Sequence, residues 1–243
     1  MINPLLAQEY FLGKSVIPGE KILVIRRRSQ LERYTSYLSD VNFFGNVWHG
    51  LSGIYRGETV IILAGGIGPS QVGDAVYALK KPHAITLFSG TCGSLTPELP
   101  IGDYLVVDEA IDGSGYGLSF GRAAFCREES DRKVFSQLQK ALKSLPLYYQ
   151  SGNVFSTGSV VRETEEDFWL RVAEDNKAIE MECAAFLLAS TRSQKKAGAL
   201  LWVTDLPKHR KSFFDTLSNE DQAKKQTCYD NMVEVNLAVL SQL

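Results

Sequence analysis

The sequence is poor in cysteine. Its four, Cys92, Cys126, Cys183 and Cys228, are too few and too scattered for a disulfide framework. None stands in a CxxC pair, and His49, His83 and His209 lack the close spacing of metal ligands, so no metal is expected. Reduced thiols in a cytoplasm are the simpler reading. Neither sign of charge is in excess, with 26 Lys and Arg against 28 Asp and Glu. That balance supplies no field to hold nucleic acid or an anionic membrane, which leaves a small molecule as the expected partner. No stretch approaches the roughly 18 apolar residues that span a bilayer. The opening segment, MINPLLAQEYFLGKSVIPGEK, has no basic region followed by a long apolar run. No repeat, low-complexity tract or Pro/Gly/Ser linker divides the 243 residues, and a hydrophobic content of 44% suffices for a full core. One domain over residues 1–243 is expected.

What is present alternates between strand-like and helix-like patterns. KILVI (21–25) reads as a short apolar strand, and SQLERYTSYLSD (29–40) as a helix, with Leu31, Tyr34 and Leu38 at helical spacing. VWHGLSGIYRGETVIILAGG reads as two strands joined by a turn at Arg56, Gly57 and Glu58. A helix is expected from Pro69 to Leu79, strands in HAITLFSG and GDYLVVDEA, a helix near 130–143 and a strand near 147–156. TEEDFWLRVAED (164–175) and AAFLLASTRSQKK look helical, AGALLWVTD is a strand, and residues 219–243 close the chain as an amphipathic helix. The sum is an α/β sandwich with a mixed central sheet.

Two glycine-rich segments, GGIGPS (65–70) and SGTCGS (89–94), stand at expected strand ends, where bare backbone can approach a ligand. Each alone is more often a simple turn, and neither carries a dinucleotide fingerprint. AIEMECAA (178–185) places Glu180 and Glu182 on either side of Met181. In an extended chain the two carboxylates share a face; the alternative is an acidic helix N-terminus. LLWVTDLPKH puts Asp205 at the end of an apolar strand, either as a functional acid or as a cap or turn residue before Pro207.

Taken in order, GGIGPSQVGDAVYAL, SGTCGSL with IGDYLVV, IEMECAA and VTDLP resemble the signatures of the nucleoside phosphorylase and nucleosidase superfamily, from about residue 21 onward. Within it, GIGPS, CGSL with IGDY, and TDLPKH are most similar to bacterial AMP nucleosidases. The resemblance implies a three-layer αβα sandwich and cleavage of the N-glycosidic bond of a purine nucleoside or nucleotide, without a cofactor. It also implies a homo-oligomer, trimer or hexamer, and a purine base, since pyrimidines have no N7.

Such cleavage leaves positive charge on the sugar and negative charge on the base, and both must be stabilised. By resemblance, Asp205 is the acid that protonates N7, a role that needs its proton held near neutral pH by burial. Glu182 accepts hydrogen bonds from the ribose hydroxyls, Met181 packs on the sugar, and Phe155 in NVFSTGS stacks on the base or fills the core. Thr91, Cys92 and Gly93 face C1′ and the nucleophile, which would explain the bareness of their segment. Gly66, Glu180 and Thr204 complete the expected substrate contacts.

The sequence departs from the family at the nucleophile. Phosphorylases of the family carry an arginine where Phe88 stands, and another near Asn46 or Val47. Arg26, Arg27 and Arg28 follow the first strand as either an anion site or a solvated run, with the solvated reading favoured, and His209 is a further anion-binding candidate. The water-activating glutamate of the nucleosidases has Glu32 as its nearest counterpart. Hydrolysis is therefore expected by elimination. Phosphorolysis with a rebuilt phosphate site and a non-catalytic purine binder are the alternatives.

Overall fold

A computed structural model describes residues 4–172, 175–209 and 211–243. Strand β1 (Lys21–Ile25) lies in the middle of a mixed sheet, parallel to β4 (Glu58–Ala64) on one side and β5 (Ile85–Ser94) on the other. Its apolar run is buried on both faces, as a central parallel strand requires. Ile22 and Val24 enter one core, while Leu23 and Ile25 enter the other. β2 (Ser39–Phe44) and β3 (His49–Tyr55) extend the sheet antiparallel beyond β4. The β3–β4 turn has Arg56 and Gly57 at φ of 50° and 83°, the left-handed pair that suits a tight hairpin.

β6 (Tyr104–Gly113), β8 (Tyr149–Thr157), β9 (Asn176–Glu180) and β10 (Lys196–Asp205) complete the sheet, with β7 (Arg127–Glu129) beside β6. β5 pairs with β10 along its length and with β9 at Gly93 and Ser94, so β5, β10, β6, β8 and β9 close into a ring. Helices α1 (Pro4–Leu12), α3 (Pro69–Ala78) and α6 (Cys183–Arg192) bury their apolar sides in one core. α4 (Arg132–Lys143) and α7 (Asn219–Gln242) cover the opposite face, giving three layers. The short α2 (Glu32–Thr35) and α5 (Glu166–Trp169) lie in connections.

Three local expectations are corrected. Residues 29–40 do not form one helix. A 3-10 turn over Arg28–Gln30 and α2 bury Leu31 and Tyr34, and the chain then turns into β2 through Asp40 at φ 50°. TEEDFWLRVAED is helical only over Glu166–Trp169, and residues 173 and 174 lie outside the described residues. SGTCGS is not a loop, because β5 runs through it to Ser94.

The bareness of that segment has a packing cause. Phe88 is fully buried, 5.5 Å from the ring of Phe186 on α6, and a Cβ on Gly90 would stand 2.8 Å from the Phe88 ring. Gly90 is small so that Phe88 can lie beneath it. Phe88→Ala is expected to cost about 3–5 kcal/mol of stability, read as a lowered urea midpoint at unchanged slope.

Candidate active site

The ends of β1, β5, β9 and β10 converge on a cavity of about 450 Å³. Arg26 and Arg27 enter it from β1, Thr91, Cys92 and Gly93 from β5, and Glu180 and Met181 from β9. Trp202, Thr204 and Asp205 enter from β10. A second hollow of about 780 Å³ adjoins it, sharing Trp202, Phe213, Lys225 and Tyr229.

Neighbouring residues of a regular strand face opposite ways, yet Thr204 and Asp205 both line the cavity. The β5–β10 register slips between Val203 and Asp205, and this irregularity swings the carboxyl inward. Thr204 Oγ1 lies 2.7 Å from Asp205 Oδ1, to which it donates, and 3.3 Å from the Cys92 carbonyl. Burial pushes the Asp205 carboxyl up from its ordinary value, outweighing the Thr204 hydroxyl, the Lys225 charge and the Phe213 N–H that favour its ionised form. A Cβ on Gly93 would meet Pro207 Cδ at 2.9 Å and Asp205 Oδ2 at 3.2 Å, so glycine there admits the acid. Burial, then Asp205 and Glu180, push the Cys92 thiol well up, which makes it a neutral wall rather than a nucleophile.

The two glutamates separate in role. β9 ends at Glu180, whose carboxylate accepts from the Ser156 hydroxyl and from the N–H groups of Glu182, at 2.6 Å, and Cys183, at 2.8 Å. It thereby satisfies orphan donors at the start of α6. Burial first, then Glu182, push Glu180 up to about 7. Glu182 is fully buried and, unlike Glu180 and Met181, does not line the cavity; its Oε1 accepts from Gly68 N–H at 2.7 Å, while its buried Oε2 has no hydrogen-bond partner among the described residues and lies 3.9 Å from the Arg26 guanidinium. Burial pushes Glu182 up, opposed first by Arg26. Met181 sits between them at the cavity surface.

The GGIGPS segment serves these groups from behind. Gly66, at φ 102°, donates its N–H to the Arg26 carbonyl at 3.0 Å and does not line the cavity; Ile67 does.

The arginine run is not a uniform solvated surface, contrary to the favoured reading. Arg26 is half-buried and donates to Thr91 Oγ1, whereas Arg27 stands exposed at the rim. Arg28 turns outward to the His49 ring at 3.2 Å. All three lie beyond the end of β1, and although Arg26 and Arg27 both line the cavity, only Arg26 is drawn in far enough to be half-buried and to reach Thr91.

Two further expectations are corrected. Phe155 packs with Ile111, Phe168 and Ile179 in a small core and does not line the cavity; β8 directs it under Gly113, where a Cβ would meet its ring at 2.1 Å. His209 is exposed on a 3-10 turn over Pro207–His209, outside the cavity.

Sequence reasoning missed Trp202, Lys225, Tyr229 and Glu163, all of which line the cavity. Trp202 was legible as the residue two before Thr204 on the same strand face. Lys225 and Tyr229 are four apart on α7 and share a helix face. Glu163, on a 3-10 turn over Val160–Thr164, gave no signal within its run of acids.

Residues 24–239 match the family model described as the phosphorylase superfamily. The chain is 26% identical over 178 residues to purine nucleoside phosphorylase DeoD-type 1 of Shewanella oneidensis, covering 70% of this chain and 74% of that protein. It is 24% identical over 208 residues to the DeoD-type purine nucleoside phosphorylase of Brevibacillus brevis, covering 83% and 85%. The fold overlays on a crystal structure of uridine phosphorylase from Vibrio fischeri with a TM-score of 0.76, at 16% identity and 92% of each chain. A purine nucleoside phosphorylase from Toxoplasma gondii, crystallised with immucillin-H, gives 0.74 at 19% identity over 91% of this chain and 90% of that one.

Proposed function

The chain belongs to the phosphorylase superfamily and is an enzyme of nucleoside N-glycosidic bond cleavage, and on that premise we propose that it transfers the ribosyl group of a purine nucleoside to inorganic phosphate. The observation that carries this reading is the inward Arg26, half-buried, joined to Thr91 Oγ1 and facing the otherwise unpaired side of Glu182. A guanidinium beside a hydroxyl is a donor set for a phosphate dianion. The DeoD-type relatives, named as purine nucleoside phosphorylases, support the same choice.

In this mechanism phosphate sits on Arg26 and Thr91, below C1′ of the ribose. Glu182 Oε2, which lacks a hydrogen-bond partner, accepts from a ribose hydroxyl and holds negative charge near the developing oxocarbenium ion. Met181 forms the apolar floor of the sugar. As the C1′–N9 bond breaks, its electrons pass into the base, and Asp205 delivers a proton to N7. A phosphate oxygen bonds C1′, giving ribose 1-phosphate and the free purine.

Hydrolysis, as in AMP nucleosidase, is the second reading. Phe88 favours it, because the position where the resemblance implies a family arginine is occupied by a fully buried ring. The two are separated by incubating the protein with adenosine, inosine, AMP and methylthioadenosine, each with and without phosphate. Ribose 1-phosphate formed only when phosphate is added supports phosphorolysis. Free ribose or ribose 5-phosphate at a rate independent of phosphate supports hydrolysis, and no release from any substrate refutes both.

A further inference from the structure

The proposed chemistry uses one carboxyl at the base end of the cavity, but two stand there. Glu163 lines the same cavity as Asp205 from the 3-10 turn over Val160–Thr164. The turn is pinned by the Trp169 indole, which donates to the Glu163 carbonyl at 3.0 Å. The adjacent Arg162 pairs with Glu165 and Asp167 at the surface, while Arg27 and Lys225 line the same cavity without an ion pair to Glu163 among the described residues. Among the described residues, neither a hydrogen bond nor an ion pair engages the Glu163 carboxyl, although it is half-buried.

Two carboxyls in one partly dry space resist ionising together. Burial first, then Asp205, push Glu163 up to about 7, and burial pushes Asp205 up as well. One proton on the pair relieves both. If Asp205 holds it for N7, Glu163 is left as an acceptor beside it.

Resting on the purine reading above, we propose that Glu163 is a second base-reading residue, accepting a hydrogen bond from an N–H on the six-membered ring. The substrate class is then purines that carry such a donor, either a 6-amino group or an N1–H. An acid on Asp205 and an acceptor on Glu163 match an edge that presents N7 as acceptor and an N–H beyond it. Unsubstituted purine offers only a C6–H and the N1 lone pair there, leaving the carboxylate unpaired in the complex.

The test compares kcat/KM for adenosine, inosine and purine riboside in the wild-type chain and in Glu163→Leu, which removes the acceptor, and Glu163→Asp. Because intrinsic leaving-group reactivity differs among the bases, the quantity read is the change in their ratios between proteins. Glu163→Asp keeps the charge and withdraws it by one methylene. We expect both variants to shrink the advantage of the better N–H-bearing substrate over purine riboside by about 10- to 100-fold, chiefly through KM. An equal fall for all three substrates, or unchanged ratios, overturns the proposal.

Calorimetric binding of adenine and purine as free bases separates this inference from the proposed catalysis. If no nucleoside is cleaved, a wild-type preference for adenine that Glu163→Leu abolishes still supports base reading, while the catalytic proposal fails. Equal binding of the two bases, or none, overturns it.

Discussion

Asp205→Asn is expected to lower kcat/KM by about 10²–10⁴-fold, the range that a positioned general acid contributes. The amide keeps the shape of the side chain beside Thr204 but has no acidic proton to give N7. Alanine at the same position is expected to be as damaging. Retention of wild-type activity by either variant would exclude Asp205 as the proton donor. The pH profile carries a second signature. Burial raises the Asp205 pKa, so the required acid form persists above the ordinary carboxylate range, and activity falls as pH rises through the raised value. The asparagine variant should lose that limb.

The same shift fixes the sign of a stability effect. With the folded pKa above the unfolded one, the protein gains stability from this group below the unfolded value and loses it as pH rises through the folded one. Asp205→Asn is therefore expected to melt at a higher temperature than wild type at neutral pH. An acid held against its solvation is a stability cost of function, and calorimetry of the two proteins at pH 4 and pH 7.5 should show the gap only at the higher pH.

Arg26→Ala is expected to lower kcat/KM for phosphate by about 10²–10³-fold, the typical loss when one charged or preorganised donor is removed from a transition-state site. Thr91 would lose its guanidinium partner, and buried Glu182 would lose the cation 3.9 Å from its unpaired oxygen. Ribose affinity should weaken with it. Arg26→Lys restores a point charge but not the planar fork, so partial recovery is expected. Arg28→Ala is the control, because that side chain turns away to His49. Initial rates over a phosphate series decide the matter. A phosphate KM that Arg26→Ala leaves unchanged would remove the basis for the phosphorolytic reading.

Much of the fold was readable along the chain. The strands β1, β4, β6 and β10 announce themselves by apolar runs, β3 by the tight turn that joins it to β4, and α3, α4, α6 and α7 by their periodicity and length. β2 and α1 were not anticipated: β2 is exposed over much of its length, and α1 lacks a well-segregated polar face. The end of β5 was misread because glycine usually interrupts a strand. Here two glycines are retained for close approach, Gly90 by Phe88 and Gly93 by Asp205 and Pro207.

The sequence by itself determined the alternation of the main strands and helices, the acid at the end of β10, the Glu-Met-Glu triplet and the family resemblance, because these depend on local periodicity and on short contiguous motifs. Only the tertiary structure decided which of three adjacent arginines is drawn in to Thr91, that Phe155 belongs to the core, that Glu180 satisfies α6 while Glu182 keeps a buried oxygen unpaired, and that Glu163 lines the same cavity as Asp205. Each of those outcomes turns on side-chain direction. That direction is set by strand register, by the irregularity after Val203, and by contacts between residues as far apart in sequence as Arg26, Thr91 and Glu182.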